Sequence, residues 1–142
     1  MVCTYTNVAV DNLVEGFVKA GLDPVRIGYG QIKSTLQEYS LESKIERHPL
    51  YPKYGVVLEN MEELGKELKR ICALISEHQK RGAPPQELSR LKARRGVLDA
   101  KLSRFDSTKQ TMYQQMRTEV LNSADVVRFF TFHAFSELIV YL

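Results

Sequence analysis

Thr6 and Asn7 stand where a β-type run, Val2 to Thr6, gives way to the amphipathic stretch "NVAVDNLVEGFVKAG". A hydroxyl, a carboxamide and the first amides of a helix, which have no acceptor inside the helix, make a donor set that suits phosphate oxygens. Asn7 is equally suited to capping, its side-chain oxygen accepting from an amide of the next turn, so two roles compete for it. Arg26, in "DPVRIG", is a cation for a phosphate or for an ion-pair partner. Asp11, one turn after Asn7, suits local hydrogen bonding at least as well as ligand contact. Other chemistry finds no support in the spacing. His48, His78 and His133 are scattered, and Cys3 and Cys72 show no Cys-x-x-Cys or Cys/His pattern. No Ser/His/Asp arrangement can be argued. The expectation is therefore no catalytic, cofactor-binding or metal-ligating residue in this chain, with Thr6, Asn7 and Arg26 as candidates for anion contact.

The elements that must position these residues follow from periodicity. Val2 to Thr6 reads as a short strand. Val10, Leu13, Val14, Phe17 and Val18 fall on one helical face, and Gly21 ends that helix. Val25 to Ile27, between Pro24 and two glycines, reads as a second strand. Strand, helix and strand make a βαβ unit joining parallel strands by a right-handed crossover, and the carboxyl edge of such a sheet is where α/β proteins bind ligands. Residues 31–54 are mixed in composition, and "HPLYPKYG" breaks any long element, giving a loop with a short helix.

A second architecture starts near Tyr54. Val57, Met61, Leu64, Leu68, Ile71 and Ile75 recur at alternating spacings of four and three, the seam of a helix lying along another helix. After "KRGAPP" the seam resumes with Leu88, Leu91, Leu98, Leu102, Phe105, Met112 and Met116, joined by Arg95 and Lys109. The pattern predicts an antiparallel helical hairpin, Pro84 or Pro85 opening its second arm, with the run past "DSTKQ" at Asp106 to Gln110 left open. Ala124 to Phe132 is again β-type and suits a return strand to the first sheet.

The totals fit one domain: 142 residues, 44% hydrophobic and 26% charged. The net charge of +3 is uneven, because Lys66 to Lys109 carries twelve Lys or Arg against five Asp or Glu. Lys92, Arg94, Arg95, Lys101 and Arg104 give the hairpin a basic side that can line a nucleic-acid path, with a solvated helix face as the competing reading. The two cysteines suit a reducing compartment. No secretory signal opens the chain. The apolar tail "VVRFFTFHAFSELIVYL" contains Arg128, His133 and Glu137 and falls short of a membrane span.

"CTYTNVAVDNL" resembles motif Ia of superfamily 1 helicases of the senataxin and nonsense-mediated-decay class. Thr6, Asn7, Ala9, Val10, Asp11 and Leu13 match that motif, while Thr4 and Tyr5 stand where Ala and Pro are usual. "PVRIG", Pro24 to Gly28, is similar to the next strand of that family's first RecA-like domain. "NSADVV", Asn122 to Val127, resembles the strand that follows its helical insertion. The resemblance implies an α/β fold: a partial P-loop NTPase (RecA-like) parallel sheet with an inserted long antiparallel helical hairpin. Residues 1–30 would be its βαβ portion, 31–121 a mostly helical insertion with the hairpin at about 55–121, and 122–142 a return strand with an atypical hydrophobic tail.

The same resemblance implies a fragment of an ATP-dependent helicase whose motif Ia touches the sugar-phosphate backbone of single-stranded RNA or DNA through Thr6 and Asn7. The GxxxxGK[ST] loop and the Asp-Glu pair that serve ATP and Mg²⁺ in the complete family protein have no match in this chain. The expectation is accordingly nucleic-acid contact without ATP hydrolysis, no cofactor in this chain, and a nuclear or cytoplasmic protein that is not secreted. A small helical-hairpin module binding a protein partner is the alternative.

Overall fold

The computed structural model describes residues 2–4, 7–28, 31–82 and 84–130, with the backbone alone for 2–4 and 126–130. Their elements run β1 (Val2–Thr4), α1 (Asn7–Lys19), β2 (Pro24–Ile27), a 3-10 helix (Ser34–Tyr39), α2 (Leu41–Glu46), α3 (Tyr51–Arg81), α4 (Pro85–Ser123) and β3 (Val126–Phe130). The chain divides into two compact units: residues 1–48 with 117–142, and residues 49–116.

In the first unit the three strands form a parallel sheet in the order β1-β3-β2. β3 is central, setting Cys3 beside Phe129 and Val25 beside Val127 in register. Pro24 opens the edge strand β2, where its missing N–H removes no ladder bond. Asp23 and Asp125, each ahead of its strand, clasp the two starts: the Asp23 amide donates to Asp125 Oδ2 at 2.9 Å and the Asp125 amide to the Asp23 carbonyl at 3.2 Å. Val10 and Val14, one turn apart on α1, are buried with Leu36 of the 3-10 helix, and Val18, Ile32 and Tyr39 pack around them. Leu13, placed by periodicity on the same face, is instead 38% exposed. Gly21 terminates α1 in the left-handed region at φ 78°, with its own amide donating to Val18 and that of Leu22 to Phe17, both at 3.0 Å. α2 is capped by Ser40, whose Oγ accepts from the Ser43 amide at 3.2 Å.

The second unit is the helical hairpin. α3 begins at Tyr51, inside the stretch read as helix-breaking, because Pro52 sits in the first turn where its absent N–H costs nothing. Gly82, at φ 67°, closes it. Ile71, Ile75 and Leu98 form the buried centre of the seam, flanked by half-buried Leu64, Leu68, Leu88 and Leu91. α4 passes unbroken through Asp106 to Gln110. The hydroxyls of Ser103, Ser107, Thr108 and Thr111 there each donate to the carbonyl four residues back, at 2.9 to 3.1 Å, so residues that favour turns stay inside the helix.

The expectation of an α/β fold built on a RecA-like parallel sheet is corrected: the described chain is mainly helical. α3 and α4 hold 31 and 39 residues, whereas the strands hold three, four and five. The cause is visible in the pattern, since the four-three spacing persists from Val57 to Met116 while the first β-type run gives way to a helix start and the second to a glycine. The sheet is a minor component. No helix among the described residues is long and apolar enough to cross a membrane. The tail beyond Phe130 lies outside the described residues.

Candidate functional site

The start of α1 gathers the residues singled out from the sequence. Asn7 and Asp11 are four apart and so share one face of the helix. Arg26 projects from β2 into the same place. Its Nε donates to Asp11 Oδ1 at 3.0 Å and its Nη2 donates to Asn7 Oδ1 at 3.1 Å. The other Asp11 oxygen, Oδ2, accepts from the Lys33 amide at 3.4 Å. Asp11 is 4% exposed and Arg26 1%, whereas Asn7 is half-buried. A charge so placed is tolerated only when paired and hydrogen-bonded. Asp11 and Arg26 satisfy that for each other. Arg26 Nη1 is the exception, a buried nitrogen with no partner among the described residues.

Asn7 and Arg26, both named from the sequence, are thus brought together. Thr6 lies outside the described residues. The carboxamide oxygen of Asn7 accepts from Arg26, a partner that neither the capping role nor the phosphate role anticipates. Arg26 is not at the surface: its ion pair is buried. The sequence places Asp11 on the polar side of the helix in a local hydrogen-bonding role; it is instead buried, and its partners come from other elements, Arg26 fifteen residues on and the Lys33 amide twenty-two residues on. The available signal was a lone acid between Val10 and Val14 together with a lone base between Val25 and Ile27, two charges in apolar surroundings that each need the other. Lys33 closes the arrangement outside, its Nζ reaching Glu15 Oε1 at 2.8 Å and Asn12 Oδ1 at 3.4 Å. The Glu15 carboxyl is held below its ordinary value first by that hydrogen bond and then by the charge of Lys33. Lys33 is raised by the same bond.

The five cations assigned to a basic side of the hairpin do not share one. Seven-residue spacing sets Lys92 and Asp99 on one flank of α4 and Arg94 and Lys101 on the other. An open hollow on the first flank is lined by Cys72, Gln79, Lys92, Arg95 and Asp99, and one on the second by Glu63, Glu67, Lys101 and Arg104. Arg94 pairs with Glu67 and Arg95 with Asp99, all at exposed positions. Carboxylates therefore interrupt the positive charge on both flanks.

Among the described residues no three His, Cys, Asp or Glu come together to hold a metal ion. The one acid at the start of α1, Asp11, already has both oxygens engaged. These residues do not fit a magnesium-nucleotide site, and no step through ATP is assigned to them.

No curated protein matches the chain. A family described as AAA domain does, over residues 1–135, a span that takes in β1, α1, β2, the whole hairpin and β3. The chain therefore belongs to that AAA domain family, a helicase-associated one.

Proposed function

We propose that this chain is the strand-gripping part of an ATP-dependent superfamily 1 RNA or DNA helicase of the senataxin and nonsense-mediated-decay class. Thr6 and Asn7 contact the sugar-phosphate backbone of a single strand, and Arg26 acts from behind Asn7. The observation that supports this best is the position of Asn7: it begins α1, the element that follows β1 in the chain, at the carboxyl edge of three parallel strands, in a chain whose family match covers that whole region. ATP and Mg²⁺ belong to the complete family protein and are held by residues other than those described here. The nucleus or the cytoplasm is the setting that follows.

Fluorescence anisotropy of the chain with labelled oligouridylate and oligothymidylate tests the reading. Binding that weakens steeply with added salt, as counterion release requires, and that weakens again in Asn7→Ala is the expected result. Absence of binding to either strand at low salt would remove the reading.

A second reading is kept by the hairpin, which leaves Val56, Leu58, Leu74 and Val97 exposed at 40 to 56%. Such residues suit a helical protein partner. A chain that stays monomeric by light scattering and captures no helical partner speaks against it.

A further inference from the structure

We infer that Arg26 and Asp11 are positioning residues that orient the Asn7 carboxamide toward a phosphodiester oxygen of the bound strand; this rests on the proposed backbone contact at the start of α1. A guanidinium carries donors only. Asn7 must therefore present Oδ1 to Arg26 Nη2, as it does at 3.1 Å, and its Nδ2 is turned away from Arg26. Arg26 is 1% exposed and does not reach a ligand itself. It is held in turn, Nε on Asp11 Oδ1 at 3.0 Å, and Asp11 is held by the Lys33 amide through Oδ2. The result is a chain of contacts, Lys33 to Asp11 to Arg26 to Asn7, whose first three members are fixed by the fold and whose last carries the donor.

What that chain contributes is orientation. An asparagine free to rotate offers an oxygen or a nitrogen to its surroundings with similar ease, and an oxygen facing a phosphate repels it. With Oδ1 tied down, the group left for a ligand is an NH₂, on the residue that opens α1, and the first amides of an α-helix have no acceptors inside the helix. All of these are donors. Fixing a donor before the ligand arrives removes an ordering cost from binding. The arrangement also requires the fork of an arginine, because one guanidinium edge serves Asp11 and Asn7 at once and a lysine ammonium has no such geometry.

Asn7→Asp is the discriminating variant. A carboxylate at position 7 still accepts from Arg26 and adds charge to that bond, so the thermal midpoint should hold or rise, yet it has no donor and repels phosphate. The expected result is oligouridylate or oligothymidylate binding weakened by about tenfold or more, roughly one charge-assisted hydrogen bond. Arg26→Lys should weaken binding similarly, and its effect should largely disappear in the background of Asn7→Ala, since residues acting through one another are not additive. Asn7→Asp binding like the parent chain, or full additivity of Arg26→Lys with Asn7→Ala, overturns the inference while leaving nucleic-acid binding in place. No binding by the parent chain overturns both.

Discussion

Two sets of ion pairs in this protein look alike in sequence and differ in what they do. In the sheet-bearing unit, Asp11 and Arg26 meet with side chains 5% and 0% exposed, on separate elements fifteen residues apart. On the hairpin, Glu62 with Lys66 and Glu77 with Arg81 pair four residues apart on one helix, with all four side chains about half exposed or more. Water screens the hairpin pairs and would solvate each partner nearly as well alone. It does not reach Arg26. The first pair therefore constrains how α1 lies on β2, while the others decorate surfaces that the apolar seam already holds together.

The comparison is broken most directly by removing one partner of the buried pair. Asp11→Ala leaves Arg26 charged and without its main acceptor, and loss of one member of a buried pair costs about 3–5 kcal/mol. Native-state hydrogen exchange should show faster exchange at Val10, Val14 and Val25 and little change at Ile71 and Leu98. Equal acceleration in the hairpin amides would mean that the two units do not separate energetically.

The hairpin has its own sensitive point, and it is apolar. Leu98 is buried against Ile71 and Ile75, with Leu64, Leu68, Leu88 and Leu91 half-buried around them. Leu98→Ala should cost about 2–3 kcal/mol, the low end for buried leucine because a two-helix seam can close partly over the gap. Circular dichroism should register it as helix loss at lower temperature. A loss below that of the exposed pairs would show that the seam is not what holds α3 to α4.

Legibility from sequence follows the same division. The hairpin was readable because its signal repeats: the apolar positions from Val57 to Met116 mark both helices and their turn. Its boundaries were less so, since Pro52 reads as a breaker and is a first-turn residue, and Ser107 and Thr108 read as turn formers and donate back into their own helix. The overall fold class misled because three strand-like runs, matched to a known order, outweighed their own shortness. At the site, residue identity was legible and partnership was not. Asn7 and Arg26 could be named, but periodicity places a residue on a face without saying which side chain from another element arrives there. The bond from Arg26 to Asn7 is a tertiary fact.

Neutralising an exposed hairpin pair should sharpen the contrast by doing little. Glu67→Gln removes the partner of Arg94, and an exposed pair of this kind contributes about 0.2–1 kcal/mol. The difference between the variant and the parent chain should shrink further as salt is raised. A cost approaching that of Asp11→Ala, insensitive to salt, would place Glu67 in a more protected setting than its exposure indicates.

The smallest effect is expected where an exposed pair borders the buried one. Glu15 is depressed by the hydrogen bond from Lys33, so its contribution is present above the ordinary carboxylate value and is lost as pH falls through the depressed one. Lys33 is raised by the same bond, so its contribution is present below the ordinary lysine value and is lost as pH rises through the raised one. Between those limits the pair is intact. Glu15→Gln should therefore lower the thermal midpoint slightly and evenly across neutral pH, and the gap from the parent chain should close in acid, where Glu15 itself is protonated. Because the Lys33 amide holds Asp11 through the backbone, not through Nζ, the variant should leave the contact between Asp11 and Arg26 in place. A large loss at neutral pH would mean that the Lys33 side chain, and not only its amide, anchors the buried pair.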